Sequence, residues 1–339
     1  MVRPLRTLFY GMSHEHAPGK LDSLRKMPDD FEIVAVADDR ARRTPTYFPP
    51  GLATRPEPFR VVSEEEALAM EDIDCVFIET ANADLMEIAA HFAARGIPMH
   101  CDKPCGESLP AYRAVVETCR AKGIPCQIGY VFRHNPAVQF CQRAVREGWL
   151  GDLTFVSADM CHAYGDPDYQ RYVSTFRGGV LYNLGGHLLD IILPMLPAGA
   201  KPEGVYPVIA TAPGDLPGAP TRCSALLRYP TLDVLVRTCS HTACSSMRRH
   251  LRIDGTAGAI ELQPMERFDG KDLALTLHLS RPAGGYVAGT YNVSFGAQSD
   301  RYIAQLHELA QIVRGELPND NRYDHDLAVH ELLLAACGG

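Results

Sequence analysis

Two short stretches carry the residue types that move protons. The first is Met99-His100-Cys101-Asp102-Lys103-Pro104-Cys105, which follows a Gly-Ile-Pro turn. It reads as a short strand ending in Asp-Lys-Pro. A strand that ends on a charge and then a proline sets that charge at the carboxyl edge of a sheet, where open α/β folds hold their ligands. Proline fixes the backbone directly after Lys103, so the ammonium is aimed. The second stretch, residues 177–190, runs from Arg177 through two glycine pairs to Asn183, His187 and Asp190. On a helix Asn183 and His187 are four apart and share a face, with Asp190 one turn beyond His187. An amine and an imidazole suit stabilisation of a developing oxyanion and transfer of a proton. The glycine pairs cost helix stability, and a backbone passing close to a ligand would account for them.

The elements that must position these groups follow from the hydrophobic pattern. Residues 5–10 (LRTLFY), 31–37 (FEIVAVA), 74–79 (DCVFIE), the strand with Lys103, and 125–129 (PCQIG) read as strands. Helical segments lie between them, up to about Lys26, at 64–70, at 84–95 ending on Gly96, and at 109–122 ending on Gly123. Glycine suits the left-handed residue that closes a helix. Strand and helix alternate five times, which predicts a doubly wound parallel sheet over residues 1–130. Beyond Tyr130 the texture changes. A helix at 136–147 precedes a strand, LTFVSADM, and residues 204–295 read as strand after strand: VYPVIAT, RCSALLRY, DVLVRTCS, HLRIDG, AIEL and LALTLHL. That pattern predicts a large, mostly antiparallel sheet in an α+β second domain, residues 131–339. Two amphipathic helices, 299–314 and 325–337, close the chain.

The turn after the first strand reads as an anion site, because a helix N-terminus offers free N–H groups and partial positive charge to a pyrophosphate. The fingerprint Gly-x-Gly-x-x-Gly stands here as Gly11, Ser13 and His16. Asp38, followed by Asp39 at the end of the second strand, is the acid placed to take the ribose hydroxyls. Its charge would repel a 2′-phosphate, which favours NAD over NADP; Arg40, Arg42 and Arg43 keep NADP open as the lesser option. His14 and His16 lack a third metal ligand at useful spacing, so phosphate contact or packing is favoured for both and no metal is expected.

Composition bounds the rest. A chain of 339 residues with 46% hydrophobic and 22% charged residues fits two globular domains. A net charge of −8 with no basic block argues against nucleic acid as a partner, and no apolar run is long enough to span a bilayer. The eleven cysteines are scattered without a Cys-x-x-Cys pair, which predicts buried thiols and a reducing cytoplasm.

In order along the chain, these motifs resemble the Gfo/Idh/MocA family, the group of glucose–fructose oxidoreductase, inositol dehydrogenase and rhizopine catabolism proteins. Asp102-Lys103-Pro104 matches its Glu-Lys-Pro, with Asp for Glu. Residues 130–136, from Tyr130 through Arg133 to Pro136, match its Arg-Phe-x-Pro region. Gly178-Gly179 through His187 and Asp190 match Gly-Gly-x-Leu-x-Asp-x-Gly-x-His-x-x-Asp, and residues 253–258 match Ile-x-Gly-Thr-x-Gly. The resemblance implies a Rossmann domain, a second domain with a large open sheet, a nicotinamide cofactor, and a sugar, polyol or cyclitol bound between the domains. It also implies a homodimer or homotetramer. Lys103 carries over as the lysine near the nicotinamide and the reacting hydroxyl, and His187 as the proton-transfer histidine. Asp102, Thr80, Asn82 and Arg133 carry over to the cofactor side with Gly11, Ser13, His14, His16, Asp38 and Asp39. Tyr130, Tyr164, Arg177 and Asn183 join Lys103 and His187 on the substrate side. Two departures stand out. Asn183 replaces the family's Asp, so it can orient His187 but supplies no charge. Glu79-Thr80-Ala81-Asn82 replaces a Thr-Pro-Asn loop. The expected activity is oxidation of a secondary hydroxyl by hydride transfer. A glycosidase that uses NAD transiently, a dehydrogenase of a non-sugar diol, and a non-catalytic NAD-binding sensor remain alternatives.

Overall fold

The computed structural model describes residues 3–49, 58–163, 165–320 and 322–339. The chain divides into two compact units, Met1–Tyr130 with Tyr302–His330, and Val131–Arg301 with Glu331–Gly339.

The first unit is built on six parallel strands: β1 (Leu5–Tyr10), β2 (Phe31–Ala37), β3 (Val61–Val62), β4 (Cys75–Ile78), β5 (Met99–Cys101) and β6 (Cys126–Ile128). Their order is β3-β2-β1-β4-β5-β6, with Thr7 opposite Cys75 and Met99 opposite both Val76 and Cys126. Every residue of β4 is buried, as a strand covered on both faces requires. The covering helices are α1 (Ala17–Arg25), α2 (Glu64–Ala69), α3 (Leu85–Arg95) and α4 (Leu109–Lys122). Ser63 and Ser108 cap α2 and α4 by accepting from the N–H groups of Glu66 and Ala111. Gly96 and Gly123 end α3 and α4 in the left-handed conformation. Strand order reverses between β1 and β4, so the loops at their carboxyl ends open a crevice in this unit.

The closing helices α8 (Ile303–Val313) and α9 (Tyr323–Ala336) were read from sequence as part of the second domain. α8 and α9 up to His330 group with the first unit instead. The physical reason is polar closure of an edge strand. Gln305 donates to Ile128 O at 2.7 Å and accepts from Gln127 at its own carbonyl at 2.9 Å. Arg314 and His307 both hold Asp30.

The second unit is an eight-stranded sheet in the order β14-β13-β12-β11-β7-β10-β9-β8. Its strands are β7 (Leu153–Cys161), β8 (Gly204–Ala210), β9 (Arg222–Arg228), β10 (Asp233–Cys239), β11 (His250–Gly255), β12 (Gly258–Leu262), β13 (Asp272–Leu279) and β14 (Gly289–Ala297). All neighbours are antiparallel except β7 and β10. β14 extends the sheet one strand past those read from sequence. Helices α5 (Pro136–Arg146), α6 (Pro167–Val173) and α7 (Val180–Ile192) complete the unit; α6 is started by Pro167 and by Asp166, which accepts from the N–H groups of Asp168 and Tyr169. α7 is buried along its whole length and packs on β7, β9 and β10. Val156, Val234, Val236, Leu251 and Ile253 are buried in these central strands, and each such side chain contributes about 1.5–3 kcal/mol.

The glycines at the start of α7 correct the sequence reading. A Cβ on Gly178 would meet Cys337 Sγ at 2.4 Å, and one on Gly179 would meet Pro220 Cγ at 2.1 Å. Protein neighbours, not a ligand, account for them. All eleven thiols are free and ten are buried, Cys244 being exposed. Among the described residues no helix is long and apolar enough to cross a membrane.

Candidate functional site

The β1–α1 loop begins with a conformational constraint. Gly11 has φ +97°, and a Cβ there would come within 2.6 Å of Thr80 N and 2.7 Å of Glu79 C. Only glycine lets the ends of β1 and β4 approach this closely. Gly11→Ala is therefore expected to cost about 1–3 kcal/mol and to weaken dinucleotide binding at least tenfold, read by calorimetric titration. The next two residues bind an acid: Met12 N and Ser13 Oγ each donate to Asp39 Oδ1 at 2.8 Å. Asp39 is buried, burial raises its pKa against those two bonds, and its Oδ2 has no hydrogen-bond partner among the described residues. Asp38, the acid read from sequence as the ribose ligand, is part-exposed. Its two oxygens accept from Arg40 at 2.8 and 2.6 Å, and that guanidinium holds it below its ordinary value.

Past Ser13 the loop carries a dense polar cluster. His14 Nε2 faces Asn82 Oδ1 at 3.0 Å and Lys103 O at 3.2 Å, both acceptors, so Nε2 bears the proton. Its Nδ1 accepts from His16 N at 3.1 Å. Burial lowers His14 to about 4, against the pull of Asp102. His330, buried against Tyr112, is likewise lowered to about 4 by burial. An unfolded histidine titrates near ~6.5, so between that pH and about 4 the unfolded chain binds protons that the folded chain does not. Stability is expected to fall as pH drops through this window, and His330→Phe should flatten the fall, measured as thermal midpoint against pH.

His16 occupies the third glycine position of the fingerprint. It precedes α1, and its Nδ1 sits 3.0 Å from Asp102 Oδ2. Gly19, one turn on, is the residue that meets Tyr302 closely. The fold also supplies the ligand type that sequence spacing did not: His14, His16 and Asp102 present ligand atoms within 4.8 Å of one another. The same Asp102 Oδ2 lies 2.7 Å from the Lys20 ammonium, which already neutralises it.

Beneath the loop is a buried charge triad. Lys20 Nζ donates to Glu79 Oε1 and Asp102 Oδ2, both at 2.7 Å, with all three side chains buried. Burial alone would depress Lys20, but Asp102 and Glu79 outweigh it and raise the ammonium above its ordinary value. Burial opposes ionisation of Asp102 too, yet His14, His16 and Lys20 hold it well below the carboxylate range. Glu79 is pushed up by burial and by Asp102, against Lys20. Room for the triad comes from Gly129, where a Cβ would lie 3.0 Å from both Asp102 Oδ1 and Lys20 Nζ. Lys103 follows directly: its backbone N–H donates to Asp102 Oδ1 at 2.6 Å, and its buried ammonium lies 3.7 Å from Glu15 Oε1. Burial lowers Lys103, while Glu15 and Asp102 pull it back. Thr80 is buried and donates to Ala81 O. Tyr130 is buried at the end of β6.

In the second unit α7 carries the other constellation. Asn183 Nδ2 donates to Tyr169 OH at 3.2 Å, and the His187 ring packs edge-on against Phe132 with centroids 5.7 Å apart. Arg133, carried over to the cofactor, grips Asp190 through Nε and Nη2 at 2.9 and 2.6 Å. Arg177 is exposed just before α7, and Tyr164 lies outside the described residues. Sequence reasoning missed Glu15, Lys20, Asp39's hold on the loop, Gly129 and Tyr169. The signal for Lys20 was its spacing with Ala17, Leu21 and Leu24 on the buried face of α1.

Two family models match the chain. One, an oxidoreductase family with an NAD-binding Rossmann fold, covers residues 7–130, and the other, a GFO/IDH/MocA C-terminal domain, covers residues 138–261. The chain belongs to the Gfo/Idh/MocA family. It is 30% identical to the D-apiose dehydrogenase of Paraburkholderia graminis over 187 residues, 54% of this chain and 46% of that one. It is 25% identical to the trans-1,2-dihydrobenzene-1,2-diol dehydrogenase of Bos taurus over 244 residues, 70% and 68% of the two chains. The chain spans about half the length of the curated relatives it matches first. An aldose-aldose oxidoreductase from Caulobacter crescentus, crystallised with glycerol, shares the fold at TM-score 0.74 and 19% identity over 99% of this chain and 98% of that one. Within the Gfo/Idh/MocA family the Rossmann domain binds NAD, and here the Gly11 cradle and the partnerless Asp39 oxygen fit a dinucleotide.

Proposed function

We propose that the chain is an NAD(P)-dependent oxidoreductase that oxidises, reversibly, a secondary hydroxyl of a sugar, polyol or cyclitol. The observation that carries this reading is Lys103: a buried ammonium at the carboxyl edge of β5, in the same cluster as the loop that follows β1. The sugar and diol dehydrogenases among its relatives support the substrate class.

The loop from Gly11 to His16, its Met12 N–H and Ser13 hydroxyl held by Asp39, would carry the pyrophosphate at the start of α1, Asp38 the ribose, and Thr80 and Asn82 the nicotinamide side. When bound, NAD(P) supplies the hydride acceptor. The Lys103 ammonium donates to the substrate oxygen and stabilises the alkoxide as it develops. His187 takes the hydroxyl proton on its ring, and Asn183, held by Tyr169, stands one turn before it on α7 without adding charge. Asp38 is held in its charged form and would repel a 2′-phosphate, so NAD is the preferred cofactor, with Arg40 beside it leaving NADP the lesser option. Asp38→Ala is expected to raise the NADP:NAD ratio of kcat/KM at least about tenfold, the equivalent of ~1.4 kcal/mol. An unchanged ratio would remove Asp38 from cofactor choice. The reading itself is tested by a panel of aldoses, including D-apiose, with polyols, cyclitols and trans-diols, scored by reduced cofactor and by the oxidised product. Turnover of at least one sugar or polyol is expected. Tight NAD(P) binding with no turnover across the panel would overturn the reading.

A further inference from the structure

Glu15 departs from what an anion-binding loop requires. It stands between Ser13 and α1, where a carboxylate repels the phosphates that the loop and helix end attract. Its side chain is buried, with Oε1 3.7 Å from the Lys103 ammonium and 3.8 Å from His16 Nε2. Oε2 is buried and has no hydrogen-bond partner among the described residues. A buried carboxylate of this kind is strongly unfavourable unless an adjacent cation compensates it. Asp102 is committed elsewhere, to Lys20, His16 and the Lys103 backbone N–H. Glu15 Oε1 is a carboxylate oxygen that addresses the Lys103 side chain directly.

We propose that Glu15 is the positioning residue for Lys103, a carboxylate on the cofactor loop that keeps the ammonium charged and directed. This rests on the reading of Lys103 as the group that polarises the substrate hydroxyl. Among the described residues of the first unit, the other charged or titratable groups around this pair are Asp102, which reinforces Glu15, Lys20, which opposes it, and His14, His16 and Glu79 in the same cluster. Burial pushes Lys103 down, so removing one of its two supporting carboxylates moves its titration lower. An opposite charge at this range shifts a pKa by roughly one to three units.

The test is Glu15→Gln, with Glu15→Asp as the conservative variant. The first readout needs no cofactor: protein carrying 13Cε-lysine is titrated by NMR, with the Lys103 signal assigned through Lys103→Met. Lys103 is expected to titrate at least about one pH unit lower in Glu15→Gln, with Glu15→Asp lying between it and the parent. In turnover, the alkaline limb of kcat should move down by the same amount, with KM changed less than about threefold. A Lys103 titration that is the same in the folded parent and in folded Glu15→Gln, or that moves as far in Glu15→Asp as in Glu15→Gln, overturns the proposal. If the titration moves but Lys103→Met turns over like the parent, Glu15 still governs the lysine and it is the catalytic reading of Lys103 that fails.

Discussion

Lys103→Met is expected to lower kcat/KM by about 10²–10⁴-fold while leaving the Kd for NAD(P) within about threefold of the parent. The size follows from what the ammonium does in the proposed step. It meets the oxygen only as negative charge grows there, so its loss falls on the transition state and not on cofactor binding. The contacts that shape the dinucleotide loop, Gly11 against Thr80 and Met12 and Ser13 on Asp39, do not involve the Lys103 side chain. Lys103→Arg is not expected to restore activity, since a planar fork cannot replace a point charge at a buried position. Steady-state kinetics beside calorimetric cofactor titration checks both halves. Equal loss of cofactor binding would make Lys103 a structural residue.

Lys20→Met should give the largest loss of stability, about 3–5 kcal/mol, because it strands two buried carboxylates at once. For a unit of this size that corresponds to a fall of roughly 8–15 °C in thermal midpoint by scanning calorimetry. The sign of its pH dependence is specific. With the ammonium gone, Glu79 and Asp102 face each other in a buried site, so the folded state binds protons more readily than the unfolded one. The variant's deficit should therefore shrink as pH falls from 8 toward 5. Adding Glu79→Gln should recover part of the loss, since one stranded charge is removed. A Lys20→Met protein within 1 kcal/mol of the parent (on the scale of ~1 kcal/mol for an ordinary substitution) would show that the triad contributes little.

The sequence made the Rossmann sheet legible because buried parallel strands are continuous apolar runs, as in β4, and because glycine closes α3 and α4. Lys103 was legible for the same reason: a charge ending such a run lands at the sheet edge. What was hidden depends on partners far along the chain. Asp102 meets His14, His16 and Lys20 from more than eighty residues away, so no local spacing announces that cluster. Asp38 and Asp39 are adjacent acids just past β2, yet Asp38 pairs with Arg40 while Asp39 binds Met12 and Ser13. Gly178 and Gly179 look like a ligand cradle until Cys337 and Pro220 fill the space. The helices α8 and α9 follow the second sheet in sequence, yet Gln305 and Arg314 tie the first of them to β6 and to Asp30.

The most direct measurement follows a deuterium atom. A polyol or aldose that the panel identifies, labelled at the carbinol carbon, is incubated with the protein and oxidised NAD(P), and the reduced cofactor is analysed by mass spectrometry. One deuterium per turnover, transferred without exchange with water and lost in parallel with activity in Lys103→Met, is the result this account predicts. Oxidised product with no label in the cofactor would contradict it.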